Sequence, residues 1–544
     1  VLRECGLLVA ATVLSASSAL GQHAFTYRPG IDILHYDLAL DLPETGKSIA
    51  GRATLTVARR AAVDTLLLDL VGLRVDSTLV AGRAAPFVRD SLTVRIALPR
   101  YTGPDTLRVS VGYHGEPSDG LIIRTDSMGR WTAFGDNWPT RARHWIPSVD
   151  DPSDKALVTW AVTAPAGRRV VANGELVEET PLPIARGSDS QPRALTRWRT
   201  LRPIPVYLMV IAAAPLAYYD LGPSACGRSE IGGCVRQSLY AAPEARDYLP
   251  GPFAKADEIV TFFSTLIAPF PYEKLAHLQS STRFGGMENA SAIFYSDRLF
   301  RERTLRPGLI AHETAHQWFG NSVTEHRWAD LWLSEGFASY LEQLWVQRFE
   351  GDSAFRAGMA RIRQEIIQSP EVASRPVVDS AERDYLKLLN ENSYQKGAWT
   401  LHMLRTQLGD STFFRGVRAY YAAHRHSTAK TDDLRRAMEK ASGQSLAWFF
   451  RQWLERPGFP EVRTSWEYDR TAKRVRLVVR QSERFGLYRF PLTVEVRTAQ
   501  GVRRLSVDVP AKMVTTLTLP MAMAHRPASV DVDPGIALLA TFSK

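Results

Sequence analysis

The sequence predicts a multidomain α+β protein, and three observations carry that reading. The chain has 544 residues, too many for one hydrophobic core. From residue 33 to about residue 219, apolar and polar residues alternate in short runs, the period of half-buried strands. From residue 256 to 455 the apolar residues recur at helical spacing, and beyond Pro460 the alternation returns. The expected divisions are a leader (1–21), an N-terminal β domain (22–219), a mixed domain (220–456) and a second β domain (457–544).

The leader comes first. Arg3 precedes an apolar run at 6–14 and then a stretch of small residues to Gly21, the layout of a secretory signal peptide cleaved after Ala19 or Gly21. The apolar part is too short for an ordinary span, so no stable membrane span is expected; an uncleaved anchor is the alternative. Cys5 lacks the small-residue context of a lipid-attachment site. An exported protein, periplasmic or extracellular, would oxidise its other two cysteines, Cys226 and Cys234, to a disulfide around a Gly-rich loop.

The first strand is expected at 33–42, with Tyr36, Leu38, Leu40 and Leu42 on one face and His35, Asp37 and Asp41 on the other. Similar runs at 53–57, 65–70, 92–98 and 106–113 continue the sheet, and 181–192 reads as a surface loop between strands. Helices are expected at 256–267, 307–320, 330–349, 393–408, 412–423, 431–441 and 445–455. Residues 456–460, Arg-Pro-Gly-Phe-Pro, break the pattern. Thereafter Val475, Leu477 and Val479 oppose Arg474, Arg476 and Arg480, as in a small β-sandwich.

The formal charge of +10 raises the question of nucleic acid. The basic residues are 56 Arg and 11 Lys spread along the chain, which describes a solvated basic surface. No nucleic-acid partner is expected.

Chemistry concentrates at 310–319, Ile-Ala-His-Glu-Thr-Ala-His-Gln-Trp-Phe. His312 and His316, four residues apart, share one face of a helix and can share a metal ion; Glu313 can reach water on that metal. Alone the pattern also fits two packed helix histidines. Residues 331–340 decide it: Glu335, with eighteen residues between it and His316, can return on a second helix as third ligand. A His, His, Glu set leaves the fourth position open for water, as catalytic zinc requires. Asp330 reads as a helix-start residue.

Two further clusters are weak alone: Gly285-Gly-Met-Glu-Asn289, a Gly turn before a strand-like run, and Tyr394-Gln-Lys-Gly397 at a helix start. Taken with the metal motif, they resemble the aminopeptidase N and leukotriene hydrolase family of zinc aminopeptidases, the gluzincins with an exopeptidase motif. The likeness runs from about Tyr36 to the C-terminus and includes the Arg143-x-x-x-Pro147-x-x-Asp150 segment.

The resemblance implies a saddle-like N-terminal β domain, a thermolysin-like catalytic domain and a β-sandwich, without the large C-terminal helical domain that many members add. It implies one zinc per chain on His312, His316 and Glu335. Glu313 would be the general base and Tyr394 the donor to the oxyanion. Glu288 would bind the α-amine of peptides with a free N-terminus, within a substrate-binding set of Gly285, Gly286, Met287, Glu288 and Asn289. Met287 and Leu389 would shape the first specificity pocket. Asp136 stands where many relatives place a Gln beside the substrate amine. The alternatives are an epoxide hydrolase of the leukotriene type and a catalytically dead binding protein on the same fold.

Overall fold

A computed structural model of the protein describes residues 27–183 and 191–543. The expected leader at 1–21 and most of the 181–192 segment lie outside the described residues.

The N-terminal region is built on one broad sheet. Its strands run in the order Glu175–Pro181, Arg193–Arg199, Lys155–Pro165, Ile31–Asp41, Ile49–Arg59, Asp105–Gly115, Arg74–Val80 and Arg83–Ala84. Ile31–Asp41 pairs parallel with Lys155–Pro165 and antiparallel with Ile49–Arg59. The two-residue period does what it should: Tyr36, Leu38, Leu40 and Leu42 are all buried on the core face. A four-stranded sheet of Arg169–Ala172, Ile211–Ala214, Trp131–Gly135 and Leu121–Thr125 completes the approach to the mixed region.

The mixed region opens with a five-stranded sheet in the order Ala217–Ser224, Val235–Ala241, Leu275–Ser280, Ala292–Ser296, Gly286–Met287. The division expected at residue 219 therefore falls inside a strand. The Gly286–Met287 strand is an edge, antiparallel to Ala292–Ser296, so its outer side carries unpaired backbone groups.

Helices pack behind this sheet. The one expected at 307–320 is α-helical only over Pro307–Ala315; residues 316–319 form turns that close at Gly320, whose φ of +116° suits glycine. The one expected from 330 is Trp332–Glu350, preceded by a 3-10 turn at Trp328–Asp330. The one expected from 393 is Gly397–Leu408, preceded by a π turn at Asn392–Lys396. The Asp352–Gln368 helix was not among those expected; its Phe355, Met359, Ile362 and Ile366 all lie buried on one face.

The C-terminal region consists of a four-stranded and a three-stranded sheet. Val475, Leu477 and Val479 are buried, while Arg474, Arg476 and Arg480 face solvent. No described helix is long and apolar enough to cross a membrane.

Candidate active site

Helical spacing brings His312 and His316 together with their Nε2 atoms 3.1 Å apart. The Trp332–Glu350 helix returns beside them and places Glu335 Oε2 3.4 Å from His312 Nε2 and 3.3 Å from His316 Nε2. All three side chains are buried. The protonation pattern shows what this cluster requires. His316 Nδ1 lies 3.2 Å from the Phe319 carbonyl, which can only accept, so Nδ1 carries a hydrogen and Nε2 is the nitrogen left to give its lone pair to a metal. His312 Nδ1 faces the Glu342 carboxylate at 3.6 Å, which assigns the same tautomer. Glu335 Oε2 is buried without a hydrogen-bond donor among the described residues. Three lone-pair donors thus converge on one point, an arrangement that fits a cation and little else.

Sequence reading missed the residues that orient these ligands. Glu342 lies seven residues beyond Glu335, two turns along the same helix, and that spacing was the available clue. Ser334 Oγ is 3.0 Å from His316 Nδ1. Gln317 and Asn321 donate to the Glu288 carbonyl at 3.0 and 2.6 Å, tying the metal helix to the edge strand. Asp330 takes the helix-start role expected of it, but for another helix: it accepts from the backbone N–H and hydroxyl of Thr431.

The cluster opens into a cavity of about 300 Å³. It is lined by the Gly285–Glu288 segment and by Trp138, Phe284, Leu309 and Leu389. Tyr394 and Glu313 line the same cavity as the metal cluster. Burial pushes Glu313 to about 7, opposed by the imidazoles of His312 and His316. Burial also raises Glu288, so an ionised carboxylate there needs a cationic partner. Tyr394 lies nearly parallel to the His312 ring, with centroids 6.1 Å apart. Burial, and then the charges of Glu335, Glu288 and Glu313, hold its hydroxyl well above the usual tyrosine range. It stays protonated and able to donate.

Two glycines have spatial reasons. A methyl group on Gly286 would sit 2.1 Å from Glu313 Oε1. One on Gly336 would sit 2.9 Å from the Gly397 backbone, where the helices carrying Glu335 and following Tyr394 cross.

Two sequence candidates lie elsewhere. Asp136 does not line the cavity: it is fully buried, and its carboxylate faces Arg141 at 3.0 Å and Arg283 at 3.4 Å while accepting from the Thr282 hydroxyl. Two guanidinium groups already neutralise it. Asn289 is also buried, outside the lining. Cys226 and Cys234 are bonded to each other.

The fold and the His, His, Glu cluster define a protein of the HExxH metal-site class. Residues 33–208 match the Peptidase M1 N-terminal domain and residues 253–453 the Peptidase family M1 domain, so the chain belongs to peptidase family M1. It is 27% identical to leucyl aminopeptidase of Saccharolobus solfataricus over 479 residues, which is 80% of this chain and 55% of that protein. It is 34% identical to aminopeptidase N of Lactococcus lactis over 465 residues, 79% of this chain and 51% of that one. The chain thus spans about half the length of these relatives. Among solved structures, the M1 zinc metallopeptidase of Deinococcus radiodurans superposes with a TM-score of 0.68 at 28% identity, covering 79% of this chain and 95% of that one.

Proposed function

We propose that this protein is a zinc-dependent aminopeptidase that removes the N-terminal residue from peptides. The observation that carries this reading is Glu288, a buried carboxylate on an open sheet edge that shares one cavity with the metal cluster and Glu313. A metal cluster with a carboxylate base serves endopeptidases equally well. A fixed anion beside it selects a free α-amine and leaves no room for preceding residues.

His312, His316 and Glu335 would hold one zinc, which when bound supplies Lewis acidity, lowering the pKa of a coordinated water to about 7 and polarising a carbonyl. The chain's own residues do the rest. The unpaired edge at Gly285–Met287 takes the substrate backbone as an added strand. Glu288 pairs with the ammonium and fixes which bond reaches Glu313. Glu313 accepts the proton of the attacking water at its carboxylate and returns it to the leaving nitrogen. The Tyr394 hydroxyl donates to the oxygen that gains charge in the transition state. The relatives named aminopeptidases and the zinc metallopeptidase structure support this reading. The relatives named aminopeptidases do not favour the epoxide-hydrolase alternative, and the presence of both catalytic side chains and all three ligands speaks against a dead enzyme.

The domain scheme belongs to the same proposal: a saddle-like β domain to about residue 219, a thermolysin-like catalytic domain to 456 and a β-sandwich at 457–544. So does export to the periplasm or cell exterior by the 1–21 leader, which the Cys226–Cys234 bond supports.

The test is hydrolysis of aminoacyl fluorogenic substrates by purified protein, with and without chelator. Chelator should abolish turnover and zinc restore it. Glu313→Gln should keep the metal and lose nearly all turnover, and Tyr394→Phe should lower kcat by roughly 10²–10³. A Tyr394→Phe effect confined to KM would remove its proposed role.

A further inference from the structure

The proposed reaction leaves the C-terminal β region without a task, yet that region reaches the turn carrying Tyr394 through a short chain of contacts. Tyr394 sits in the π turn Asn392–Lys396, an irregular turn that needs support from outside itself. Lys396 is fully buried and donates from Nζ to the Arg456 carbonyl at 3.1 Å. Asn392, at the other end of the turn, donates to the carbonyls of Glu371 and Arg375. Val372, next to Glu371 in that segment, accepts from the Gly458 N–H at 2.6 Å. Both ends of the tyrosine's turn are therefore tied to residues 456–458, one directly and one through the Pro370–Ser374 helix.

Residues 456–458 are in turn gripped by the C-terminal region. The Arg456 guanidinium donates to the carbonyls of Phe485 and Leu487 at 2.6 and 3.3 Å and lies 4.7 Å over the Tyr488 ring. The Tyr488 hydroxyl donates to the Pro457 carbonyl at 3.2 Å. The fit leaves no slack: a methyl on Gly458 would meet Phe485 Cγ at 2.1 Å, and one on Gly486 would meet Arg456 Nη2 at 2.2 Å.

We infer that Arg456 is a positioning residue for Tyr394: by clamping the 485–488 loop onto the 456–458 turn, it fixes the carbonyl that holds Lys396 and so the tyrosine's place over the metal site. The C-terminal β region then acts in catalysis by bracing the oxyanion donor. This rests on the proposed role of Tyr394, and the test separates the two.

The experiment compares the full-length chain with Arg456→Ala, Arg456→Lys, Lys396→Met, Tyr394→Phe and the Arg456→Ala/Tyr394→Phe double variant, each checked for zinc content. A misplacement of about 1 Å at a reacting centre costs up to roughly 10²-fold. Arg456→Ala should lower kcat by roughly tenfold or more, with KM little changed and one zinc retained. Arg456→Lys, which keeps one donor to the loop carbonyls, should recover part of the loss. Lys396→Met cuts the link without touching the C-terminal region, so it should give a similar kcat loss even if the Arg456 variants fold poorly. In the Tyr394→Phe background, Arg456→Ala should cost nothing further, because the hydroxyl it positions is gone. Losses that multiply, or an unchanged kcat in Lys396→Met, overturn the positioning role while leaving Tyr394 as oxyanion donor. A Tyr394→Phe protein as fast as the parent overturns both.

Discussion

Gly286→Ala isolates how tightly the edge strand packs against Glu313, the proposed general base. The added methyl would lie 2.1 Å from Glu313 Oε1 and 2.4 Å from its Cδ, against ordinary contacts of 3.4 Å and above. One of the two must yield by about 1.3 Å. The strand is paired to Ala292–Ser296 and held by Gln317 and Asn321 through Glu288, so the carboxylate is the part that moves. A displacement of about 1 Å at a reacting group costs about 10²-fold, or about 2.7 kcal/mol in activation free energy. Steady-state kinetics on an aminoacyl substrate should show kcat reduced by that order, while metal analysis still finds one zinc. A Gly286→Ala enzyme with kcat within about twofold of the parent would refute the packing argument.

Three other outcomes follow from the same geometry. His316→Ala should contain no zinc where the parent contains about one per chain; equal content would remove the ligand assignment. Glu342→Ala should release zinc to a competing chromophoric chelator with affinity lowered by roughly 10–100-fold, since it loses the carboxylate facing His312 Nδ1. Stability should rise with pH above neutrality. Burial lowers Lys396 to about 7 from 10.5, so between those values the unfolded chain binds a proton that the folded chain does not. Raising the pH removes that advantage of the unfolded state, by up to about 1.4 kcal/mol per unit, and below about 7 the slope from this group vanishes. Lys396→Met should flatten the rise in urea midpoint between pH 7.5 and 9.5, and equal slopes in parent and variant would contradict it.

How much was legible in the sequence depended on how local the cause was. His312, Glu313 and His316 were readable because helical spacing alone puts them together, and Glu335 because the next helix runs back beside the first. Strand faces such as Tyr36 to Leu42 followed from a two-residue period. Helix ends did not, since the turns at 316–319 and the π turn before Gly397 are set by tertiary contacts, not by local composition. Asp136 shows the limit most clearly. The family resemblance suggested a substrate contact, but Arg141, five residues on, and Arg283, nearly 150 residues away, claim its carboxylate. Glu342 carried a spacing clue; Ser334, Gln317, Asn321 and Arg456 became visible only with the chain folded.

The central claim is that Glu288 makes this metal site an exopeptidase, and one comparison tests it directly. Zinc-loaded protein is incubated with a peptide bearing a free α-amine and with its N-acetylated twin, and the products are followed by mass. A free amine has a pKa of about 7.7–8.0 and is largely protonated near neutral pH, so it can pair with Glu288. The account predicts stepwise loss of N-terminal residues from the free peptide, almost none from the acetylated one, and a drop of roughly 10²-fold in kcat/KM on the free peptide for Glu288→Ala. Equal cleavage of both peptides, or cuts at internal bonds, would contradict it.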